Sequence, residues 1–186
     1  MCRFLTGKAR LQQTDRRRIW KLLDSEVFKA NDDKIYLAPR NMYTDNYTIP
    51  LWVSFLAGSP VDYDTRCSHI HDLGCDCHEI LLINLTEAEL RLRGYLRYSE
   101  KNNMWVCEDI PAEYLKKEKI SKFKVNNLLY ECMVAAGESW WSCFIVRLGV
   151  CFNIGWFWNL LTGKVFELEL DKVYKESYWR EHIGGK

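Results

Sequence analysis

The chemically richest part of this sequence is the segment 66–79. It contains three of the four histidines, three of the eight cysteines and three acidic residues. A helix advances about 100° per residue, so a helix here separates apolar from polar side chains. The apolar side consists of Ile70, Leu73, Cys77, Ile80 and Leu81, and the polar side consists of His71, Asp72, Cys75, His78 and Glu79. The sequence therefore predicts a helix with an apolar back and a chemically functional front.

His71 and Asp72, together with Asp45, form the first candidate site. Carboxylate oxygens and an imidazole nitrogen are ligands that hydrolytic metal centres use, so this version of the site requires a divalent metal ion. A metal-free version uses His71 as a general acid–base, oriented by a carboxylate, to cleave a phosphodiester or an amide. Both versions predict a hydrolase.

A second candidate is a zinc site made by His71, Cys75 and His78. Their spacing of i, i+4 and i+7 brings them to one side of a helix. The spacing matches no standard zinc motif, and a fourth ligand has to come from elsewhere in the chain.

The same residues also fit a purely structural interpretation. In this interpretation Asp45 stabilises a turn, and Asp72 pairs with Arg147 from a later apolar helix, because a buried charge needs a partner. Buried polar networks are commoner than active sites. The sequence leaves catalysis, metal binding and a structural network open.

Length and composition indicate a single globular domain over residues 1–186. The chain has 48% hydrophobic residues, which favours a packed core over a disordered chain. No apolar leader segment is present at the start, so we expect a cytoplasmic protein whose cysteines are reduced thiols.

The net charge of +1 gives no overall attraction to nucleic acid or membrane, but the charge is unevenly distributed. Residues 41–115 have five Lys and Arg against twelve Asp and Glu, whereas both flanking regions are basic. An acidic middle region suits a metal ion or a basic partner and repels bare phosphate.

The order of elements predicts an α+β fold. Residues 1–50 are β-rich, and three short runs at 19–23, 26–29 and 34–38 predict an antiparallel meander that ends at Pro39. Residues 51–163 are mainly helical, and residues 164–186 predict a final strand and helix. We expect the meander to pack on a helical bundle built around the His-Asp helix and a Trp-rich apolar helix.

Within the helical region, Thr86 and Ser121 are the predicted caps of two helices, and Gly137 is the predicted end of the second. Residues 91–109 fit a hairpin or an irregular excursion equally well, and residues 110–119 predict a helical or linker segment. Gly74 lowers helix propensity by about 1 kcal/mol relative to Ala, so we expect close packing there.

The segment 140–161 is the most apolar part of the chain and is long enough to cross a membrane. Arg147, two asparagines and two glycines make that costly, so we expect a buried helix and no stable membrane insertion. The tryptophans of this segment, Trp140, Trp141, Trp156 and Trp158, are predicted to be mostly core, and an exposed binding patch is the alternative.

Four pieces of the sequence together resemble a known family. Residues 35–50 follow the pattern of apolar strand, proline, turn and Thr-Asp-x-x-Ser/Thr-Ile/Val-Pro, and His71-Asp72 matches a His-Asp pair on a helix. Residues 125–137 are similar to a later helix, and Val146-Arg147 matches a Val-Arg pair that follows it. The family comprises small bacteriophage and prophage proteins of unknown function, and the resemblance covers about residues 19–150.

The resemblance departs from the family pattern at one position, where Asn126 replaces an aspartate. We expect Asn126, Arg147 and Thr48 to be structural members of the polar network. Thr48 and Asp45 can each accept hydrogen bonds from nearby backbone amides, which predicts a structured turn.

The phage resemblance implies a counter-defence protein that inhibits a host nuclease system, of the anti-CRISPR type. Its partner would be a host protein or ribonucleoprotein complex in the bacterial cytoplasm, and an acidic region can mimic nucleic acid toward a basic groove. The alternative is a small hydrolase using His71 and Asp72. We expect such an enzyme to act on RNA or DNA rather than on peptidoglycan during lysis.

Overall fold

The computed structural model describes residues 1–14, 19–44 and 65–151, and for residues 76 and 77 it describes the backbone only. The predicted turn with Asp45 and Thr48, and the predicted strand and helix after residue 163, lie outside the described residues. The described part is an α+β fold in which antiparallel sheets pack with helices, as predicted.

The elements are numbered in chain order. The strands are β1 (Arg3–Phe4), β2 (Leu11–Gln13), β3 (Trp20–Leu22), β4 (Glu26–Lys29), β5 (Ile35–Ala38), β6 (Tyr43–Thr44), β7 (Glu79–Ile83), β8 (Leu96–Ser99), β9 (Met104–Cys107) and β10 (Leu115–Lys119). The helices are α1 (Arg66–Cys77), α2 (Glu87–Leu92), α3 (Lys122–Ala135) and α4 (Trp140–Cys151), and a 3-10 turn spans Ala112–Tyr114.

The main sheet has five antiparallel strands in the order β1-β4-β5-β7-β10. Its inner strands β5 and β7 are buried along almost their whole length, and Leu37 lies opposite Leu81. Strands with continuous apolar sequence are buried on both faces, which explains why this pair lies at the centre of the sheet.

The predicted meander has its three strands, but they do not form one sheet. β4 and β5 pair as expected, whereas β3 pairs with β2 and β6 in a separate three-stranded sheet. After Pro39 the chain turns through Asn41, which has a positive φ of 67°, and returns along β3. Trp20 therefore lies opposite Thr44, and β3 has no edge left for β4.

The central helix is shorter than predicted. α1 ends at Cys77, because His78 adopts a left-handed conformation with φ of 55°. Ile80 and Leu81, predicted for the apolar side of this helix, lie instead in β7. The segment 115–119, predicted as helical or linker, is strand β10 and pairs with β7.

The locally encoded features agree with the prediction. Thr86 forms a capping box with Glu89 at the start of α2, and the Ser121 side chain accepts from the backbone of Lys124. Gly137 has a positive φ of 83° just beyond α3. The ambiguous segment 91–109 contains the β8–β9 hairpin.

The longer helices pack on the sheets and on each other. α1 packs on β5, β6 and β7 and on α3, α3 also contacts β1, and α4 packs on α3. The tryptophans at the beginning of α4 are exposed rather than part of the core, and Trp156 and Trp158 lie outside the described residues. Trp140 is 74% exposed and Trp141 is 45% exposed, whereas Cys143 and Val146 are buried. No helix in the described ranges is long and apolar enough to cross a membrane.

Gly74 marks the closest approach of α1 to α3. A Cβ atom added at this position would lie 2.6 Å from Cγ2 and 3.1 Å from Cγ1 of Val125, which is fully buried. A β-branched side chain on a helix is restricted at χ1, so Val125 cannot rotate away at low cost. The close packing predicted at Gly74 is confirmed.

We therefore expect Gly74→Ala to lower the free energy of unfolding by about 1–3 kcal/mol, although alanine favours helix. Gly149→Ala is the matched control, because the same added atom on α4 meets nothing within 4 Å. Chemical denaturation of the two variants measures the difference. A Gly74→Ala protein as stable as the wild type would contradict the close contact. The same change should cost less free energy in a Val125→Ala background, because the clashing side chain is then absent.

Candidate functional site

Two clusters of polar side chains lie on α1. The first, which His69 makes with Glu26, is fully buried. His69 Nδ1 lies 2.7 Å from Glu26 Oε2, and the other carboxylate oxygen of Glu26 accepts the backbone N–H of Ala9 at 2.8 Å. Both side chains are shielded completely from solvent. This pair fastens α1 to β4 and to the N-terminal segment.

The sequence prediction did not include the Glu26–His69 pair. One signal was available, because His69 lies one helical turn before Leu73 and so shares the apolar side of α1. A histidine on an apolar helix face requires a buried hydrogen-bond partner. Nothing in the local sequence indicates that the partner is Glu26, which comes from a strand 43 residues away.

The second polar group surrounds His71. Its Nε2 atom lies 3.2 Å from Asn126 Oδ1 and 3.4 Å from Cys75 Sγ, while its Nδ1 atom lies 3.9 Å from Asp72 Oδ1. Cys75 is one turn after His71 on α1, and Asn126 comes from α3. We call His71, Asp72, Cys75 and Asn126 the His71 cluster.

Asp72 connects this cluster to the smaller sheet. The hydroxyl group of Thr44, at the end of β6, donates to Asp72 Oδ2 at 2.6 Å, and both residues are buried. The carboxylate is thus fixed by a strand while its other oxygen faces His71. Asp45 follows Thr44 directly in the chain but lies outside the described residues.

The neighbours of His71 favour its protonated form. The Asp72 carboxylate faces Nδ1, and the Asn126 carbonyl oxygen faces Nε2, and these oxygens accept hydrogen bonds. Asn126 is oriented by its amide nitrogen, which donates to Cys151 Sγ at 3.8 Å. Each ring nitrogen therefore faces a hydrogen-bond acceptor. Only the protonated imidazolium has an N–H for both acceptors.

The pKa of His71 agrees with this geometry. Burial lowers the pKa, but the interactions of the imidazole with Asp72 and Cys75 raise it by more, to about 10. An ordinary histidine has a pKa of about 6.5, so His71 is an imidazolium at neutral pH. The cluster places this cation between a carboxylate and a thiol.

The predicted ion pair between Asp72 and Arg147 does not form among the described contacts. Arg147 instead donates to Asn127 Oδ1 at 2.9 Å, and its guanidinium lies 5.1 Å from the ring centre of Tyr130. Both contacts are made to α3, on which α4 packs. Asp72 faces Thr44 and His71, so Arg147 does not belong to the cluster.

The predicted zinc site is not assembled. Within residues 1–14, 19–44 and 65–151, leaving out the side chains of residues 76 and 77, no three His, Cys, Asp or Glu side chains are placed to hold a metal ion. Cys75 contacts His71, but His78 is exposed and forms the left-handed end of α1. The other metal version needs Asp45, which is outside the described part of the chain.

The His71 cluster differs from the Glu26–His69 pair in its access to solvent. The His71 side chain is 17% exposed, and Cys75 is half-buried. The cluster thus places an imidazolium and a thiol together at a partly exposed point. This combination can donate a proton and provide a nucleophile.

We expect the ring of His71 to remain protonated between about pH 5 and about pH 8, where an unperturbed histidine titrates. NMR measurement of the imidazole resonances, assigned with His71→Gln, tests this. Asp72→Asn should return the midpoint toward about 6.5, because it removes the carboxylate that stabilises the cation. Repeating the titration in Cys75→Ala measures how much Cys75 contributes to the raised pKa of His71.

The same shift gives a dependence of stability on pH. The folded state holds the His71 proton more tightly than the unfolded chain does, so this stabilisation is complete below about pH 6.5. It is lost as the pH rises toward about 10. The difference in unfolding free energy between wild type and His71→Gln should therefore shrink with rising pH, and a difference that grows would contradict the imidazolium.

No protein-family model, no curated protein and no solved structure matches this chain. The resemblance to small phage proteins stays a prediction. Any function assigned to the chain must therefore rest on its own residues and on the geometry of the His71 cluster.

Proposed function

We propose that this chain is a small hydrolase in which His71 transfers the proton. The observation that supports the proposal is the position of the imidazole, which lies between Asp72 and Cys75 and is partly open to solvent. Ionisable groups whose pKa is strongly shifted by specific neighbours cluster at functional sites. The raised pKa of His71 has such causes at both ring nitrogens, with Asp72 at Nδ1 and Cys75 at Nε2.

Asp72 is the positioning residue in this proposal. Its carboxylate is fixed by the Thr44 hydroxyl and faces the Nδ1 side of the imidazole, so the proton that is transferred is the one on Nε2, the atom that Cys75 and Asn126 face. An imidazolium with pKa about 10 is charged at neutral pH, so His71 serves first as the general acid. It protonates the leaving group as the substrate bond breaks.

In this proposal the cleaved bond is one whose leaving group must be protonated as it departs. The alkoxide of a phosphodiester and the amine of an amide both meet this condition. Nucleic acid and the peptide part of peptidoglycan are therefore the substrate classes to test, as the sequence predicts. The acidic excess of residues 41–115 disfavours a bare polyphosphate chain.

The purified protein is incubated with labelled RNA, labelled DNA and labelled peptidoglycan, and the products are separated. Wild type should cleave one of them, and His71→Gln should reduce the rate by about 10²–10⁴-fold, the usual contribution of a general acid. His78→Gln is the matched control, because this exposed histidine at the end of the same helix lies outside the cluster. Circular dichroism confirms that both variants fold.

Two outcomes would contradict the hydrolase. One is a wild-type protein that cleaves none of the three substrates. The other is cleavage that survives in His71→Gln at the wild-type rate. A variant that loses stability and leaves cleavage intact would instead support the structural network.

A second candidate function, binding to a host protein, is favoured by a separate observation on α4. Trp140, Trp141 and Phe144 are 74%, 45% and 44% exposed and lie side by side, with ring centres 5.7 Å and 6.1 Å apart. Exposed contiguous aromatic groups mark protein–protein interfaces, where Trp is enriched at the residues that contribute most to affinity. We call these three residues the aromatic surface.

The aromatic surface supports a binding role better than acidic mimicry does. Several carboxylates of the acidic middle region are paired with arginines, such as Glu87 with Arg3 and Arg91, and Glu108 with Arg97. Paired carboxylates present little negative potential to a basic groove. A counter-defence protein of this kind would therefore use apolar contact with the host protein.

For this candidate, bacteria with an active defence nuclease system express the chain, and the efficiency of phage plating is measured. Wild type should raise plating, and Trp140→Ala combined with Trp141→Ala should abolish the effect. Phe123→Ala is the control, because this exposed aromatic residue lies on α3, away from the aromatic surface. Equal plating with wild type and with the double variant would contradict the binding role.

A further inference from the structure

We propose that Cys75 is the nucleophile of the His71 cluster and that the substrate is an acyl compound, an amide or an ester, attacked at its carbonyl carbon. This inference rests on the hydrolase function proposed above and narrows its substrate class. It reverses the sequence-based preference for nucleic acid over peptidoglycan, because the peptide part of peptidoglycan is an amide.

The geometry assigns this role to Cys75 through a chain of three side chains. The sulfur lies 3.4 Å from Nε2 of His71, and the opposite ring nitrogen faces the Asp72 carboxylate at 3.9 Å. A nucleophile beside a base that a third group orients is the arrangement on which covalent hydrolases depend. The i, i+4 spacing on α1 keeps Cys75 against His71.

The other cysteines have different surroundings. Cys67 and Cys132 are fully buried, and burial raises the pKa of the Cys132 thiol well above its usual range. Burial and the nearby Glu108 carboxylate raise the pKa of Cys107 to about 12. Among the cysteine side chains that the structure describes, Cys75 is the one in contact with a histidine nitrogen.

The thiolate is the reactive form of cysteine, and Nε2 of His71 lies 3.4 Å from the Cys75 sulfur, where its N–H can donate to that sulfur. Asn126 contributes to this because its carbonyl oxygen also faces Nε2 and so keeps a proton on that atom. Cys151 of α4 holds the Asn126 amide in this orientation through its sulfur. Among the residues that the structure describes, the groups that face the His71–Cys75 pair include Asp72 from α1 and Asn126 from α3, with Cys151 behind Asn126.

The reaction balances with these groups and water. The Cys75 thiolate forms a C–S bond to the carbonyl carbon, and the bond from that carbon to the leaving nitrogen or oxygen breaks as Nε2 of His71 gives up its proton to the leaving group. Nε2 then takes a proton from water, whose oxygen attacks the thioester carbon. The C–S bond breaks, the carboxylic acid leaves, and the thiolate and imidazolium return.

The first test measures thiol reactivity and needs no knowledge of the substrate. The folded protein reacts with iodoacetamide at a series of pH values, and mass spectrometry follows each cysteine. Cys75 should be alkylated faster than free cysteine at the same pH, by at least about tenfold near pH 6. His71→Gln should remove this advantage.

The second test uses p-nitrophenyl acetate and peptidoglycan with Cys75→Ser, a nearly isosteric change. The wild type should show a burst of p-nitrophenol and an acetyl adduct on Cys75, and Cys75→Ser should lose at least about 100-fold in rate on both substrates. The melting temperature shows whether Cys75→Ser is folded. If it is not, the iodoacetamide comparison in the wild type decides.

The outcomes separate the two proposals. If His71→Gln abolishes cleavage of any substrate while Cys75→Ser retains it, Cys75 is not the nucleophile and the hydrolase proposal stands. If Cys75 reacts with iodoacetamide no faster than free cysteine and His71→Gln has no effect on it, the inference is overturned. If the wild type also cleaves no substrate, the hydrolase proposal falls with it.

Discussion

The close approach of α1 to α3 is the contact on which the rest of this structure depends. Gly74 allows it, because any larger residue would place an atom within 2.6 Å of Val125. Asn126 directly follows Val125, and His71 lies one helical turn before Gly74, so the same approach brings the amide to the imidazole. The contact between α1 and α3 therefore also assembles the His71 cluster.

Two polar contacts then fix α1 against the strands. Glu26 holds His69 from β4, and Thr44 holds Asp72 from β6, so the helix is fastened to both of the larger sheets. A buried polar group without a partner is costly, and these partners make one orientation of the helix much more favourable than its alternatives. The direction of His71 follows from that orientation.

The sequence predicts best what is encoded locally. The caps at Thr86 and Ser121 and the end at Gly137 depend on a few neighbouring residues, and all three appear in the structure. The sequence does not predict strand β10, because its charged residues show no alternation with apolar ones. Its pairing with β7 makes it a strand. Sheet partners are set by residues far away in the chain.

The same distinction holds for the candidate site. Helical spacing correctly places His71 and Cys75 on one side of α1, since that is a property of one element. The sequence predicts Arg147 as the partner of Asp72, but Arg147 contacts Asn127 instead. The residue of α3 that faces His71 is Asn126. Helical periodicity favours Asn126, the residue predicted for the polar network, because it lies about 100° from Val125 on α3 whereas Asn127 lies about 200° away. The partner of Arg147 depends on how α4 packs on α3, which the sequence of either helix alone does not fix.

The two histidine pairs on α1 provide an internal comparison for the function. Glu26 and His69 are completely enclosed, and both carboxylate oxygens have partners, as expected of a group that only stabilises a fold. His71 makes a longer ion pair, reaches solvent, and adds a thiol to the imidazole. A structural role needs neither the access nor the sulfur, because an enclosed carboxylate partner like that of His69 fixes a helix equally well. The difference between two histidines on one helix is therefore the physical reason to assign chemistry to His71 and structure to His69.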